Sequence, residues 1–138
     1  LKGTWHVARA VLPGMVKQRG GSIVNLASVE GIEGGQSQAA YNAAKGGVVV
    51  LTRSMAVDYG YANVRVNCLC PGMIDTPMLR RAEADGNVAN LEKIAPRMIP
   101  VGRAGTPEEI AATCGFLCSD EAAFITGQVI GVNGGMVL

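Results

Sequence analysis

A phenol, an ammonium and a hydroxyl lie close together along this chain. Tyr41 and Lys45 are four residues apart in Tyr41-Asn42-Ala43-Ala44-Lys45, and Ser28 closes the segment Asn25-Leu26-Ala27-Ser28 thirteen positions upstream. These are the parts of a proton-transfer site. Four residues of α-helix advance about 6 Å and return near the starting azimuth, so Tyr41 and Lys45 would share one helical face. A cation there favours the phenolate. A free phenol titrates near pH ~10, and bringing it to neutrality requires about 4 kcal/mol of differential stabilisation of the anion. One ammonium at about 6 Å, in an effective dielectric of roughly 20, supplies about 3 kcal/mol, and burial of the phenol opposes it. Lys45 alone falls short, and a second positive charge near the phenol would close the gap. Taken alone, a tyrosine and a lysine at this spacing more often mark a partly exposed aromatic beside a solvated charge. Their surroundings decide the matter.

Those surroundings order the three groups along an α/β pattern. Ser22-Ile23-Val24-Asn25-Leu26 is a short apolar run after Gly20-Gly21 and predicts a buried strand over 22–27, with Ser28 just past its C-terminal end. In open α/β sheets ligands bind at that end. Residues 29–38 are rich in glycine and polar groups and form a loop, and 39–59 carry a helical pattern with Tyr41 near its start. A second strand over 64–70 stops at Pro71-Gly72, where the proline withholds an N–H and the glycine permits unusual φ, and leads into Met73-Ile74-Asp75-Thr76-Pro77. Backbone N–H groups and the Thr76 hydroxyl of that turn could meet a planar amide. Helices over 2–18 and 107–118, a lobe over 75–100 and a strand over 128–132, followed by Asn133-Gly134-Gly135, complete the map. There are no internal repeats or low-complexity tracts.

At these residues the sequence resembles the short-chain dehydrogenase/reductase family. The resemblance runs along essentially the whole chain and rests on an ordered set: Asn25 to Ser28, Tyr41 to Lys45, Arg65-Val66-Asn67, Pro71-Gly72 through Thr76, Gly102-Arg103 with Pro107-Glu108-Glu109, and Thr126-Gly127 before the last strand. It implies a doubly wound parallel-sheet (Rossmann) fold and an oxidoreductase that uses NAD or NADP. In that reading Tyr41 exchanges a proton with the substrate oxygen and Ser28 hydrogen-bonds that oxygen. Lys45 lowers the Tyr41 pKa and holds the nicotinamide ribose, and an oxidised nicotinamide ring is the second positive charge. Pro71, Gly72, Ile74 and Thr76 line the nicotinamide side, with the Ile74 backbone and the Thr76 hydroxyl near the carboxamide. The cofactor supplies hydride chemistry and the protein supplies position and charge.

Departures from the family pattern also inform. Ala27-Ser28 replaces the usual Ser-Ser, which spares the catalytic serine, and Asn133 stands where aspartate is usual. The family's glycine-rich phosphate-binding turn, its ribose-selecting residue and its Asn-Ala-Gly segment have no counterpart in this chain. By resemblance to Leu1-Lys2-Gly3-Thr4, a fourth catalytic residue, an asparagine, would precede Leu1. The expectation is therefore a single domain's C-terminal part over 1–138, with a small substrate lobe at about 75–100. Such a chain would have an open apolar sheet edge, would fold poorly or aggregate alone, and would show no appreciable activity by itself. The choice between NAD and NADP would rest on residues outside it.

Composition narrows the partners. The chain has 138 residues, 49% of them hydrophobic, and 12 basic against 11 acidic side chains give a net charge of +1, so no electrostatic footprint points to nucleic acid or to an anionic membrane. No apolar run approaches the roughly 20 residues needed to span a bilayer, and a cytoplasmic location is the default expectation. Cys68 and Cys70 alternate on a strand while Cys114 and Cys118 are one helical turn apart, inside apolar regular elements and not on the tight turns zinc favours, so all four read as buried thiols and no metal is expected. His6 reads as a packed or solvated residue. Helix 39–59 carries more apolar surface than one sheet contact needs. With helix 2–18 it is expected, by resemblance, to form a homo-oligomer contact in a dimer or tetramer. Met73, Met78, Leu79, Met98 and Ile99 in the lobe would close over a small, uncharged hydrophobic or alicyclic substrate, and Glu30 and Glu33 would repel anions. The leading expectation is interconversion of a secondary alcohol and a ketone. The alternatives are a 3-oxoacyl thioester reductase and, in another class, a non-catalytic dinucleotide-fold sensor or interaction protein.

Overall fold

The computed structural model describes residues 1–137. The elements in chain order are α1 (Lys2–Gln18), β1 (Gly21–Leu26), α2 (Ala39–Tyr59), β2 (Val64–Pro71), α3 (Pro77–Ala84), α4 (Leu91–Met98), α5 (Pro107–Cys118) and β3 (Val129–Val132), with single 3₁₀ turns at Val29–Gly31, Gly60–Ala62 and Asp120–Ala122. The strands form one parallel sheet in the order β1-β2-β3, with Leu26 beside Leu69 and Pro71 beside Val132 at the C-terminal ends. This is the α/β parallel-sheet arrangement that the alternation of strand and helix patterns predicts.

The central strand is buried on both faces, and its period-2 pattern sorts the layers. Val64 and Val66 pack with Ala8, Leu12, Met55 and Ala56 of α1 and α2, and Cys68 and Cys70 pack with Ala27, Val48 and Val49. Leu69 points to the other face, against Leu117 of α5, Ala122, Val24 and Ile130. Full burial of each such side chain contributes about 1.5–3 kcal/mol, so β2 is the element on which both layers depend. The polar residues on the α5 face are not lapses in the pattern. Arg65 donates to the carbonyls of Leu117 (2.7 Å) and Ser119 (3.1 Å) at the C-terminus of α5. Asn67 donates to the Ile125 carbonyl (2.8 Å) and accepts from the Gln128 N–H (3.0 Å). Arg65-Val66-Asn67 therefore closes the last helix onto the sheet and sets the start of β3.

Local chemistry explains the boundaries. α1 ends in a left-handed Arg19 (φ 54°), with the Gly20 N–H returning to Met15. α3 and α5 each begin with threonine followed by proline, and the Thr76 and Thr106 side chains accept from the third residue onward. The lobe resolves into the two short helices α3 and α4. Ile99 does not face a cleft there: it is 3% exposed and packs so closely on Gly134 that a Cβ on that glycine would lie 2.6 Å from it. Two of the four thiols also differ from expectation, Cys114 being half-buried and Cys118 exposed, because α5 turns only one face to the sheet.

Candidate active site

The candidate residues gather at the C-terminal ends of the strands. Ser28 follows β1 by two residues, and its backbone is extended (φ −170°) as it caps the Val29–Gly31 turn. Its hydroxyl oxygen accepts from the Glu30 N–H at 3.2 Å, so the oxygen is oriented while the hydroxyl hydrogen is left to donate elsewhere. The residue is 8% exposed.

Tyr41 and Lys45 lie in the first two turns of α2, on one face as the spacing predicts. The Lys45 ammonium stands 5.7 Å from the centroid of the Tyr41 ring. It also donates to the Leu26 carbonyl at 3.0 Å, which ties the helix to the last residue of β1 and leaves two further N–H donors. The 3₁₀ turn bearing Ser28 is pressed onto α2 at the same place. A Cβ on Gly31 would lie 2.7 Å from the Lys45 carbonyl carbon and 2.9 Å from the Gly46 nitrogen. Gly31 therefore sets the depth at which the serine segment docks beside Lys45. Beneath them, Asn25 of β1 donates to the Thr52 hydroxyl (2.9 Å), which donates in turn to the Val48 carbonyl (2.9 Å), a buried tie between strand and helix.

Cys68 and Cys70 underlie this corner. The neighbouring Cys70 thiol holds the Cys68 thiol down to about 7 against the opposing effect of burial, with the Ala27 backbone, Thr52 and the Lys45 charge assisting. Cys70 moves the other way, chiefly through its coupling to Cys68 and through burial.

On the neighbouring strand, Pro71 and Gly72 end β2 beside Asn133. The Gly72 N–H donates to the Val132 carbonyl (3.2 Å), and a Cβ there would meet the Asn133 Cβ at 2.9 Å. The chain then runs through Ile74, which pairs with Gly105 in a single parallel bridge. Asp75 N–H donates to the Gly105 carbonyl and Gly105 N–H to the Met73 carbonyl, both at 2.9 Å. In such a pairing the N–H and C=O of the bridged residue project from the opposite edge, and those of Ile74 have no partner among the described residues. Thr76 Oγ1 accepts from Leu79 N–H at 3.3 Å, so its hydrogen is available to donate. One free peptide donor, one free peptide acceptor and a hydroxyl suit a planar carboxamide, so the residues present fit a nicotinamide on this side. The Asp75 carboxylate beside them is held below its ordinary range by the Arg80 guanidinium, whose Nε and Nη2 bind it at 2.7 Å each.

The structure thus brings Tyr41, Lys45 and the Ser28 turn together, and sets Pro71, Gly72, Ile74 and Thr76 at the end of the adjacent strand. Two partly open clefts nearby, one lined by Met73, Ile74, Gly105 and Asn133 and the other by Arg80, Leu91 and Arg103, do not include Ser28, Tyr41 or Lys45. Sequence reasoning did not identify three contributors: the Leu26 carbonyl, Gly31 and Gly105. The two glycines stand at close backbone approaches, for which glycine itself was the one available signal.

The family model described as enoyl-(acyl carrier protein) reductase matches residues 1–137. The 3-oxoacyl-(acyl-carrier-protein) reductase FabG of Thermotoga maritima is 45% identical over 138 residues, covering all of this chain and 54% of that protein. A short-chain type dehydrogenase/reductase from Mycobacterium ulcerans superposes with a TM-score of 0.90 at 34% identity, over 99% of this chain and 48% of the other. Two further similar structures hold a dinucleotide: ElxO with NADP bound (TM-score 0.87, 30% identity, 97% of this chain and 53% of that one) and a Brucella melitensis 3-oxoacyl-(acyl-carrier-protein) reductase with bound NAD (0.81, 36%, 98% and 48%). The chain spans about half the length of the relatives it matches. With the parallel sheet, the site at its strand ends and a family model covering the chain from its first residue to residue 137, this protein belongs to the short-chain dehydrogenase/reductase family.

Proposed function

We propose that the complete protein interconverts a secondary alcohol and a ketone with NAD or NADP as hydride partner, and that its ketone is a 3-oxoacyl thioester. The observation that carries the reaction type is Lys45. Its ammonium is fixed by Leu26 and lies 5.7 Å from the Tyr41 ring, and its backbone lies directly against the turn that presents Ser28. The bound dinucleotide supplies hydride acceptance or donation at its nicotinamide ring. The two spare Lys45 donors would hold the nicotinamide ribose, and Ile74 with Thr76 the carboxamide, while Pro71 and Gly72 form the wall beside the ring. In the reducing direction Tyr41 gives its phenolic proton to the carbonyl oxygen of the substrate, and in the oxidising direction it takes that proton back. Ser28 donates its free hydroxyl hydrogen to the same oxygen and holds it within reach of the phenol. This is general acid–base catalysis by Tyr41, with the Lys45 ammonium held beside its ring.

The thioester reading draws on relatives named as 3-oxoacyl-(acyl-carrier-protein) reductases. The lobe supports a second reading, an uncharged hydrophobic or alicyclic ketone, because Met78 and Met98 are exposed on α3 and α4 and free to fold over a ligand. Dinucleotide oxidation by the complete protein, followed with an acetoacetyl thioester and with cyclic ketones, separates the two. The thioester should give the higher kcat/KM, and a preference for the cyclic ketone would transfer the assignment. The Tyr41→Phe variant tests the reaction type itself: it removes only the acid/base oxygen, so kcat should fall about 10²–10⁴-fold while dinucleotide binding persists. Unchanged turnover would sink the mechanism and favour a non-catalytic role.

A further inference from the structure

We propose that Arg103 and Glu109 are positioning residues which, through Gly105, hold the Ile74 peptide unit in register for the cofactor's carboxamide. This rests on the functional reading above. Gly105 lies between two systems of hydrogen bonds. On one side it pairs with the segment that carries Ile74, giving its N–H to Met73 and taking one from Asp75, each at 2.9 Å. On the other side, Arg103 grips Glu109 with both guanidinium nitrogens, Nη1 to Oε2 at 3.0 Å and Nη2 to Oε1 at 2.6 Å. The same Oε2 accepts the Thr106 N–H at 2.8 Å, and Arg103 Nη1 also donates to the Ala104 carbonyl at 3.0 Å. The backbone from 103 to 106 is thus fixed at both ends with Gly105 in the middle.

There is little slack in the coupling. A Cβ on Gly105 would lie 2.8 Å from Ile74 Cδ1 and 3.4 Å from Glu109 Oε2, so a side chain here would press on both the residue being aligned and the carboxylate that aligns it. A purely local explanation accounts for only part of this arrangement. Thr106 and Glu109 complete a capping box for α5 without help. The two-pronged Arg103 contact is not one of the two hydrogen bonds of that cap, and it ties the cap to the loop upstream of Gly105. Moving that loop would rotate the Ile74 peptide, whose N–H and C=O are the free pair aimed at the carboxamide.

The test is a comparison of two dinucleotides in the complete protein: the natural cofactor it accepts and the 3-acetylpyridine analogue, which keeps the carbonyl but lacks the amide N–H₂. Arg103→Gln leaves the α5 capping box whole, and Glu109→Gln retains an amide able to cap, so both variants should fold, which thermal melting checks. The expected result is that the wild-type preference for the natural dinucleotide over the analogue, as a ratio of kcat/KM values, falls about three- to tenfold in each variant while KM for the carbonyl substrate is unchanged. Loss of turnover with both dinucleotides alike, the ratio preserved in both variants, would show a merely structural role and overturn the positioning. A wild-type protein that binds neither nicotinamide dinucleotide would instead overturn the functional reading, and this proposal with it.

Discussion

At the scale of single residues, the site depends on close approach as much as on chemical type. Ser28, Tyr41 and Lys45 are recognisable because their functional groups and spacing belong together, and the helix brings the last two onto one face as its period requires. Gly31 shows what spacing does not reveal. Its α-carbon faces the Lys45 backbone, and a methyl group there would overlap main-chain atoms at 2.7 Å and 2.9 Å that have no rotamer to yield. Gly31→Ala should therefore push the Ser28 turn away from α2, costing about 1–3 kcal/mol of stability in a melting experiment. It should lower kcat in the complete protein while dinucleotide affinity stays nearer the wild-type value, since Ile74 and Thr76 lie on the segment after β2, apart from that turn. A Gly31→Ala protein with unchanged kcat would mean that the docking depth of the turn is irrelevant to the serine. A loop rich in glycine was legible from the sequence. Which of its glycines meets the lysine was not, because that contact joins positions 14 apart through the tertiary packing of a turn on a helix.

At the scale of elements, the helices and strands follow local signals: the apolar runs, the Pro71-Gly72 stop, and the Thr-Pro starts of α3 and α5. What the sequence left open is the second use of a cap. Glu109 takes part in the α5 capping box and also holds Arg103, and the guanidinium, assisted by the Thr106 N–H, lowers its carboxyl pKa to about 2 from an ordinary 4.5. A carboxyl that is more acidic when folded than when unfolded binds fewer protons in the native state. Its stabilisation is complete above about pH 4.5 and is lost as pH falls towards 2. The melting temperatures of wild type and Glu109→Gln should therefore differ at pH 6 and converge as the pH approaches 2. A difference that stays constant across that range would show that the carboxylate charge is not what Arg103 uses. The motif Gly102-Arg103 with Pro107-Glu108-Glu109 was visible in the sequence, but its partner at Ile74 was not, because a one-residue parallel bridge has no hydrophobic period to announce it.

At the scale of the whole molecule, the sheet edge at β1 and the outer faces of α1 and α2 are left without partners among the described residues. β1 pairs with β2 along one edge only among the described residues, and its last residue, Leu26, is exposed. On the other face of the sheet from Leu26, α1 exposes Val7 (67%) and Val11, and α2 exposes Val50 (61%) and Val57 (83%), although both helices also bury apolar residues against β2. Apolar residues on two faces of a helix are more than a single sheet contact requires. A second copy of the protein packing on α1 and α2 would cover the outer faces, and the paired helices would then form a four-helix contact. Val7→Glu combined with Val50→Glu places charges where the single subunit is already open to water, so the fold should melt within a few degrees of wild type. The complete protein should sediment as a dimer or larger species, and the double variant should shift towards the monomer. A wild-type protein that sediments as a monomer, or a variant that keeps its assembly, would assign these valines another role. The purified 138-residue chain carries the further liability of the bare β1 edge, and unpaired strand edges recruit other strands. It should associate with itself in a concentration-dependent way even with both glutamates in place, because the edge is a backbone feature that side-chain charge on α1 and α2 does not reach.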